Sequence, residues 1–151
     1  MIFSKRLILV RAILTFVFSQ KTSSMRPIST YSIVALDETT GELGVAVQSH
    51  WFSVGLLVPW AKAGVGAVAT QSFVEVDYGP DGLQLMESGI TAEDALKTLT
   101  LKDEGEAVRQ VGMIDIKGNV AAHTGSRCIK YAGHIVGENY SVQANMMAKG
   151  T

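Results

Sequence analysis

The sequence is poor in several residue types, and each scarcity excludes a class of protein. One cysteine in 151 residues leaves no intrachain disulfide, and the cysteine and histidine spacings match no zinc site. Charged residues make up 18% and nearly cancel to a net charge of −1, which gives no electrostatic reason to expect nucleic acid. No uncharged apolar run approaches the ~20 residues that span a bilayer. The 47% of hydrophobic residues indicates one folded globular domain.

Acidic residues are missing from the first 36 positions, which carry five basic side chains and hence +5. Residues 37–151 carry 8 basic and 14 acidic side chains, hence −6, and all 15 glycines lie between Gly41 and Gly150. We therefore expect a basic apolar leader or disordered extension over 1–29 and a folded domain over 30–151. The leader resembles a signal peptide or a transit peptide in composition; alternatively, translation starts at Met25. The protein is cytoplasmic in the last case and exported or organellar in the others.

Apolar runs rich in Val and Ile predict strands over 32–36, 43–47, 54–58, 65–70, 109–116, 120–124 and 140–145. Helices are predicted over about 80–88, ended by Gly89, and about 92–101, with Thr91 as N-cap. Polar loops that contain glycine, at 37–42 and 117–119, join pairs of strands into hairpins.

The runs IVAL, LGVAV, VGAVA and VGMIDI are nearly continuous in apolar residues. A hairpin strand with one face in water would alternate apolar and polar residues instead. Continuous runs in hairpins therefore indicate that both faces are covered, one by a second sheet and one by helices. This predicts an α+β fold in which two mainly antiparallel sheets are flanked by helices.

Several residues that often carry chemistry have ordinary explanations here. Cys128 lies beside two cations that would lower its thiol pKa if it were exposed, but a lone cysteine is more often a small buried residue. The pattern Gly64-x-Gly66-x-x-Ala69 lies in a strand-like run, not at the strand-to-helix turn that a dinucleotide fingerprint needs. Three histidines lie at no metal-binding spacing: His50, His123 and His134. We expect no metal and no cofactor.

Thr30 opens the first strand directly after the basic segment. A threonine that begins a mature chain can act as a nucleophile, with its own α-amine as the base. Such a site also needs donors for the oxyanion, and polar residues end the neighbouring strands: Gln48, Ser49, Gln71, Ser72 and Asn145. Alternatively, Thr30 is an ordinary β-branched strand residue and the others are strand-end polar residues.

The string TYSIVALDETTGELGVAVQSHWFSVGLLVPWAKAGVGAVATQS, which begins at Thr30, resembles the opening of the family called domain of unknown function 1028. YGPDGLQLMESG, RQVGMIDIKGNVAAHTGSRCIKYAGH and GENYSVQANMM continue the resemblance in the same order, to about Ala148. The resemblance implies the N-terminal-nucleophile (Ntn) hydrolase superfamily and its four-layer αββα sandwich. Because the family domain usually runs on after SVQANMM, it also implies a sandwich that is incomplete at the C-terminal end.

Two functions from different classes follow. The first is an Ntn-type amidohydrolase that cuts an unidentified small amide or peptide, with Thr30 and Asn145 as catalytic residues. In this interpretation the remaining strand-end residues bind the substrate: Gln48, Ser49, Gln71 and Ser72. The second is a non-catalytic binding or assembly subunit in which residues before Thr30 block its amine. Because Ntn relatives often assemble, a homo-oligomer is also expected, with no nucleic acid and no transmembrane span.

Overall fold

A computed structural model describes residues 28–150, so the expected leader over 1–29 lies almost wholly outside the described residues. The described chain forms eight strands and two helices. Their bounds in chain order are β1 Thr30–Asp37, β2 Glu42–Ser49, β3 Pro59–Lys62, β4 Gly66–Ser72, α1 Tyr78–Glu87, α2 Ala92–Lys102, β5 Arg109–Asp115, β6 Val120–Thr124, β7 Gly133–Gly137 and β8 Tyr140–Asn145. Neither helix is long and apolar enough to cross a membrane.

The strands form two antiparallel four-stranded sheets. The first sheet has the order β2-β1-β8-β7, and the second has the order β3-β4-β5-β6. Each predicted hairpin is present, with β1 paired to β2 and β5 paired to β6. The structure therefore confirms an α+β fold with two antiparallel sheets.

The core has two layers, one on each side of the second sheet. Between the sheets, Val34 packs with Ala67, Ala69 and Ile114. On the other side, helices α1 and α2 cover Val68, Val111 and Met113 of the second sheet. Gly79 lets α1 approach closely, because a Cβ there would collide with the indole ring of Trp60 on β3. The arrangement is helices, sheet, sheet.

The inference from continuous apolar runs holds for one sheet only. Strands β4 and β5 are buried along almost their whole length, as covering on both faces requires. Strand β1 instead alternates: Val34 and Leu36 are buried, whereas Tyr31 and Ile33 are exposed. Among the described residues, no helix covers the outer face of the first sheet. The expectation that β1 is covered on both faces was therefore wrong, because apolar residues also lie on its exposed face.

The strand predictions need three corrections. Residues 54–58 do not form a strand: Val54–Leu56 is a 3₁₀ turn after Ser53, whose φ of 56° breaks any extended path. Within this run Val58 is buried in the core, whereas Leu56 is exposed. Strand β3, a four-residue edge strand, was not predicted. Strand β7 was not predicted either, since it is a short exposed edge strand with a glycine at each end.

Both helix predictions are confirmed to within two residues. Helix α1 is followed by Gly89, whose φ of 95° is the left-handed conformation that terminates helices. Helix α2 begins after Thr91, whose hydroxyl accepts a hydrogen bond from the Asp94 N–H at 3.2 Å. The helix ends could be predicted because a capping side chain or a left-handed glycine within a few residues determines where each helix begins or ends.

Asp115 ties the β5–β6 turn to the start of α2. Its carboxylate accepts hydrogen bonds from the backbone N–H groups of Lys117, Asn119 and Ala92, at 2.9, 3.1 and 3.2 Å. The Asn119 side-chain amide also donates to it, at 2.8 Å. One buried carboxylate thus joins a hairpin turn, a sheet and a helix.

We predict that Asp115→Ala lowers the free energy of unfolding by roughly 2–4 kcal/mol, because several buried donors lose their acceptor together. Asp37→Ala is the matched control, since Asp37 holds Thr39 and Thr40 in the exposed β1–β2 turn. There water replaces the lost acceptor, and the cost stays below about 1 kcal/mol. Urea unfolding measures both; equal losses would contradict the role given to Asp115.

Candidate active site at the Thr30 end of the sheets

Three of the predicted site residues form a row across the first sheet. Thr30 pairs with Ser49 on one side and with Asn145 on the other. Directly opposed residues on adjacent strands point to the same face with Cβ atoms about 5 Å apart. Thr30 and Asn145 are buried, at 6% and 0% exposure, so the row faces the second sheet. The Thr30 and Ser49 hydroxyls are hydrogen-bonded at 2.8 Å.

A second row faces the first one from the second sheet. Gln110 pairs with Gln71 on β4 and with Thr124 on β6. The Asn145 side-chain amide donates to Gln110 Oε1 at 3.0 Å, which joins the two rows. Gln71 also donates to Gln110 Oε1, at 2.8 Å. The residues that end these strands therefore meet between the sheets.

The amide orientations in this cluster follow from their partners. Gln110 Nε2 lies 3.0 Å from the Gly133 carbonyl and 2.9 Å from the Ala144 carbonyl, and carbonyls only accept. Gln110 Oε1 must therefore be the acceptor for both Gln71 and Asn145. This leaves Gln71 Oε1 and Asn145 Oδ1 buried without a partner among the described residues. Both orphaned atoms are acceptors, so the cluster lacks hydrogen-bond donors.

One row further into the sandwich, a second amide lies between the sheets and is hydrogen-bonded within the first sheet. Gln143 donates to the Ser32 hydroxyl at 2.8 Å and accepts from the Ser141 hydroxyl at 2.8 Å. Gly112 on β5 faces this side chain, and a Cβ there would collide with Gln143 Oε1. Glycine at position 112 thus makes room for a polar group in the interior.

Thr124 continues the cluster towards the edge of the sandwich. Its hydroxyl accepts from Gln110 Nε2 at 3.0 Å and lies 2.8 Å from His134 Nδ1. Burial, and to a lesser extent the charge of His123, lower the pKa of His134. A neutral His134 can accept the Thr124 proton at Nδ1, so the hydrogen bonds form a continuous chain from His134 to Asn145.

An ion-pair cluster fixes the loop that follows β4. Arg109 pairs with Asp103 through Nε at 2.8 Å and donates from Nη1 to the Phe73 carbonyl at 2.8 Å. Glu75 lies 3.5 Å from Arg109 Nη2. The hydrogen bond from Arg109 lowers the pKa of Asp103, and burial raises the pKa of Tyr78, which donates to the same carboxylate.

The remaining predicted residues are placed differently. Gln48 alternates with Ser49 along β2, so its exposed side chain points to the outer face of the first sheet, away from Thr30. Ser72 ends β4 with a φ of 73° and a buried hydroxyl that has no partner among the described residues. Cys128 is half-buried, and its thiol donates to the Arg109 carbonyl. The described residues contain no group of three or more metal-ligating side chains.

Sequence analysis missed Gln110 and Gln143, which organise the cluster. A signal was present, because glutamine is uncommon inside buried strands and three buried glutamines occur in this sheet pair. Gln110 and Gln143 each lie within a predicted strand, but strand periodicity does not reveal which strands face one another. The two rows could therefore be assembled only from the tertiary structure.

We predict that Gln110→Met lowers the free energy of unfolding by roughly 3–5 kcal/mol. The side chain is similar in volume, but two buried amides lose their acceptor and three part-buried oxygens lose the two N–H donors that they share. Gln84→Met, on the exposed side of α1, is the matched control and changes stability by less than about 0.5 kcal/mol. Urea unfolding of both variants tests the assignment; a mild Gln110→Met would contradict it.

We predict a pH-dependent contribution from Asp103. Because its pKa is lower in the folded than in the unfolded chain, it stabilises the fold above about pH 4 and loses this effect as the pH falls further. The difference in unfolding free energy between wild type and Asp103→Asn is therefore constant near neutrality and shrinks below about pH 4. Denaturant unfolding from pH 7 to 3 measures it. Glu93, whose side chain is exposed on α2, is the control. The same trend in Glu93→Gln would contradict the assignment to Asp103.

Comparison with known proteins now places the chain. Residues 30–151 match the model of the family described as "Family of unknown function (DUF1028)". The crystal structure of protein SPO2555 from Silicibacter pomeroyi, also assigned to DUF1028, superposes with a TM-score of 0.75 and 32% identity. The match covers 79% of this chain and 53% of that chain, so this chain spans about half the length of SPO2555. Comparison with functionally curated proteins gave no match. The chain belongs to the DUF1028 family.

Proposed function

We propose that the protein is an Ntn-type amidohydrolase in which Thr30, once freed at the N-terminus, is the nucleophile. The observation that carries the proposal is the position of Thr30: it begins β1, its hydroxyl is buried between the sheets, and polar side chains surround it. A threonine with only a structural role in the strand would pack equally well against apolar side chains. The surrounding polar layer supplies what acyl transfer requires.

The reaction balances with the groups present. The free α-amine, with a pKa of about 8, accepts the proton from Oγ1 as Oγ1 attacks the substrate carbonyl carbon. The amine then returns the proton to the leaving nitrogen as the C–N bond breaks, which leaves an ester on Thr30. Water, activated by the same amine, hydrolyses that ester. Ser49 donates to Oγ1 or accepts from it, and its position is fixed by a 3.0 Å hydrogen bond from the Trp51 N–H.

Asn145 is suited to two tasks beside Thr30. Its Nδ2 gives one hydrogen to Gln110, and the second hydrogen is the donor that we assign to the developing oxyanion. Its Oδ1 is an unpartnered acceptor, as is Gln71 Oε1. The α-amine of a freed Thr30 and the N–H of a bound substrate amide are donors of the kind that these oxygens lack.

The proposal includes the full four-layer αββα sandwich. The outer face of the first sheet exposes Tyr31, Ile33 and Ile135, which is the apolar surface that a second helical layer would cover. A groove of about 1080 Å³ runs over this face. The greater length of SPO2555 supports the proposal, since a relative of this length has residues to form such a layer. A homo-oligomer remains a prediction.

A specific contact favours the alternative function, a binding or assembly subunit in which Thr30 is blocked. Ser29 is peptide-bonded to Thr30, and its hydroxyl donates to the Met146 carbonyl at 2.8 Å. This bond holds Ser29 against Met146, which follows β8, beside the site. While Ser29 remains attached, the Thr30 nitrogen is an amide and cannot act as the base.

Intact mass and N-terminal sequencing of the protein from its native host separate the two functions. We expect a mature chain that begins at Thr30. A chain that begins at Met1 or Met25 would instead support the blocked binding subunit, because no free threonine amine would exist.

We predict that Thr30→Ala abolishes amide hydrolysis by the processed protein and that Thr30→Ser retains it in part. Loss of one hydrogen bond to Ser49 costs Thr30→Ala only about 1–2 kcal/mol of stability, so the fold persists. A panel of amide and peptide substrates, with urea unfolding as the folding control, measures both effects. Undiminished turnover by Thr30→Ala would overturn the proposed nucleophile.

A further inference from the structure

The loop between β2 and β3 presents three large apolar side chains to solvent. Their exposed fractions are 56% for Trp51, 91% for Phe52 and 79% for Leu56. We call these three residues the apolar rim. Single exposed hydrophobic residues are common, whereas three within six positions concentrate apolar surface on one loop.

The loop that carries the rim is held in place from within. Val54 and Leu57 pack against the core between the sheets, and Val58 is buried there. Hydrogen bonds close the turn, including Leu57 N–H to the Val54 carbonyl at 3.1 Å. The Trp60 indole also donates to the Leu57 carbonyl, at 3.0 Å. The rim is therefore displayed by an ordered segment, so ligand binding would cost little conformational entropy in this loop.

The rim is directly connected to the candidate site. Ser49 Oγ lies 2.8 Å from Thr30 Oγ1 and accepts a hydrogen bond from the Trp51 N–H at 3.0 Å. The loop thus begins at the residue that contacts the proposed nucleophile. Arg109, at the neighbouring end of β5, has its charge matched by Asp103 and Glu75. These observations favour an uncharged apolar ligand group at this end of the sheets.

We propose that the apolar rim determines substrate specificity by binding a bulky apolar side chain next to the scissile amide. The inference rests on the proposed function, because it assigns the substrate class of that same site. Size also favours a small ligand. Three such side chains bury roughly 500–600 Å² at most, less than the ~800 Å² that one partner contributes to a standard protein interface.

Trp51 provides a direct test, because the chain has only two tryptophans. In Trp60→Phe, the emission of Trp51 is followed while N-acetyl-L-phenylalaninamide or N-acetylglycinamide is added. We expect a saturable blue shift with the phenylalanine probe and none with the glycine probe. If Trp60→Phe does not fold, the difference between wild type and Trp51→Phe isolates the same emission.

Leu56→Ala and Leu101→Ala are a matched pair for the second arm, since these leucines are 79% and 78% exposed. We expect Leu56→Ala to weaken binding of the phenylalanine probe by roughly tenfold, from lost apolar burial. Leu101→Ala, near the end of α2, leaves binding unchanged. Equal weakening by the two variants would overturn the proposal.

Three further outcomes would also overturn it. One is an equal response to both probes; another is a blue shift with phosphatidylcholine vesicles alone, which would indicate a membrane surface. The third is a shift with protein concentration alone, which would indicate self-association. Every variant in these binding experiments also carries Thr30→Ala, so binding is measured without turnover. Failure of the proposed catalysis and failure of this inference are therefore distinguishable.

Discussion

The Gln110 side-chain amide is the interaction on which the Thr30 end of the structure depends. Its oxygen accepts from Gln71 and Asn145, and the two hydrogens of its nitrogen are shared among three oxygens on β6, β7 and β8. A single group therefore joins both sheets where an apolar core would otherwise continue. Two partners of its nitrogen are backbone carbonyls, which can only accept hydrogen bonds, so the amide has one stable orientation. That orientation sets the orientations of the neighbouring amides.

The same orientation has a cost that bears on function. Gln71 Oε1 and Asn145 Oδ1 are left buried with no donor in the described part of the chain, although buried polar groups are nearly always paired in folded proteins. Further along the sandwich, Val34, Ala69 and Ile114 form an ordinary apolar core. The interior is thus divided into an apolar part that stabilises the fold and a polar part beside Thr30. Unpaired acceptors next to a buried hydroxyl are a reason to look for chemistry at this end.

Sequence reasoning predicted the strands of both hairpins, the two helices and their ends, because these depend on short-range patterns. It also selected Thr30, Ser49 and Asn145, which the structure brings into one row. It misjudged residues 54–58, where a 3₁₀ turn leads into the buried Val58, and it omitted strand β3 and the exposed edge strand β7. It grouped Gln48 with the site, whereas strand alternation turns that side chain outward.

The sequence by itself determined the α+β class, the hairpins and the polar strand ends, since apolar spacing and turn residues act over a few positions. Only the tertiary structure decided which polar residues meet. Gln110 and Asn145 are 35 positions apart, and their contact depends on how the two sheets face each other. Sheet stacking is a long-range arrangement that period-2 patterns do not encode. For the same physical reason, only the structure revealed that the outer face of the first sheet carries no described helix.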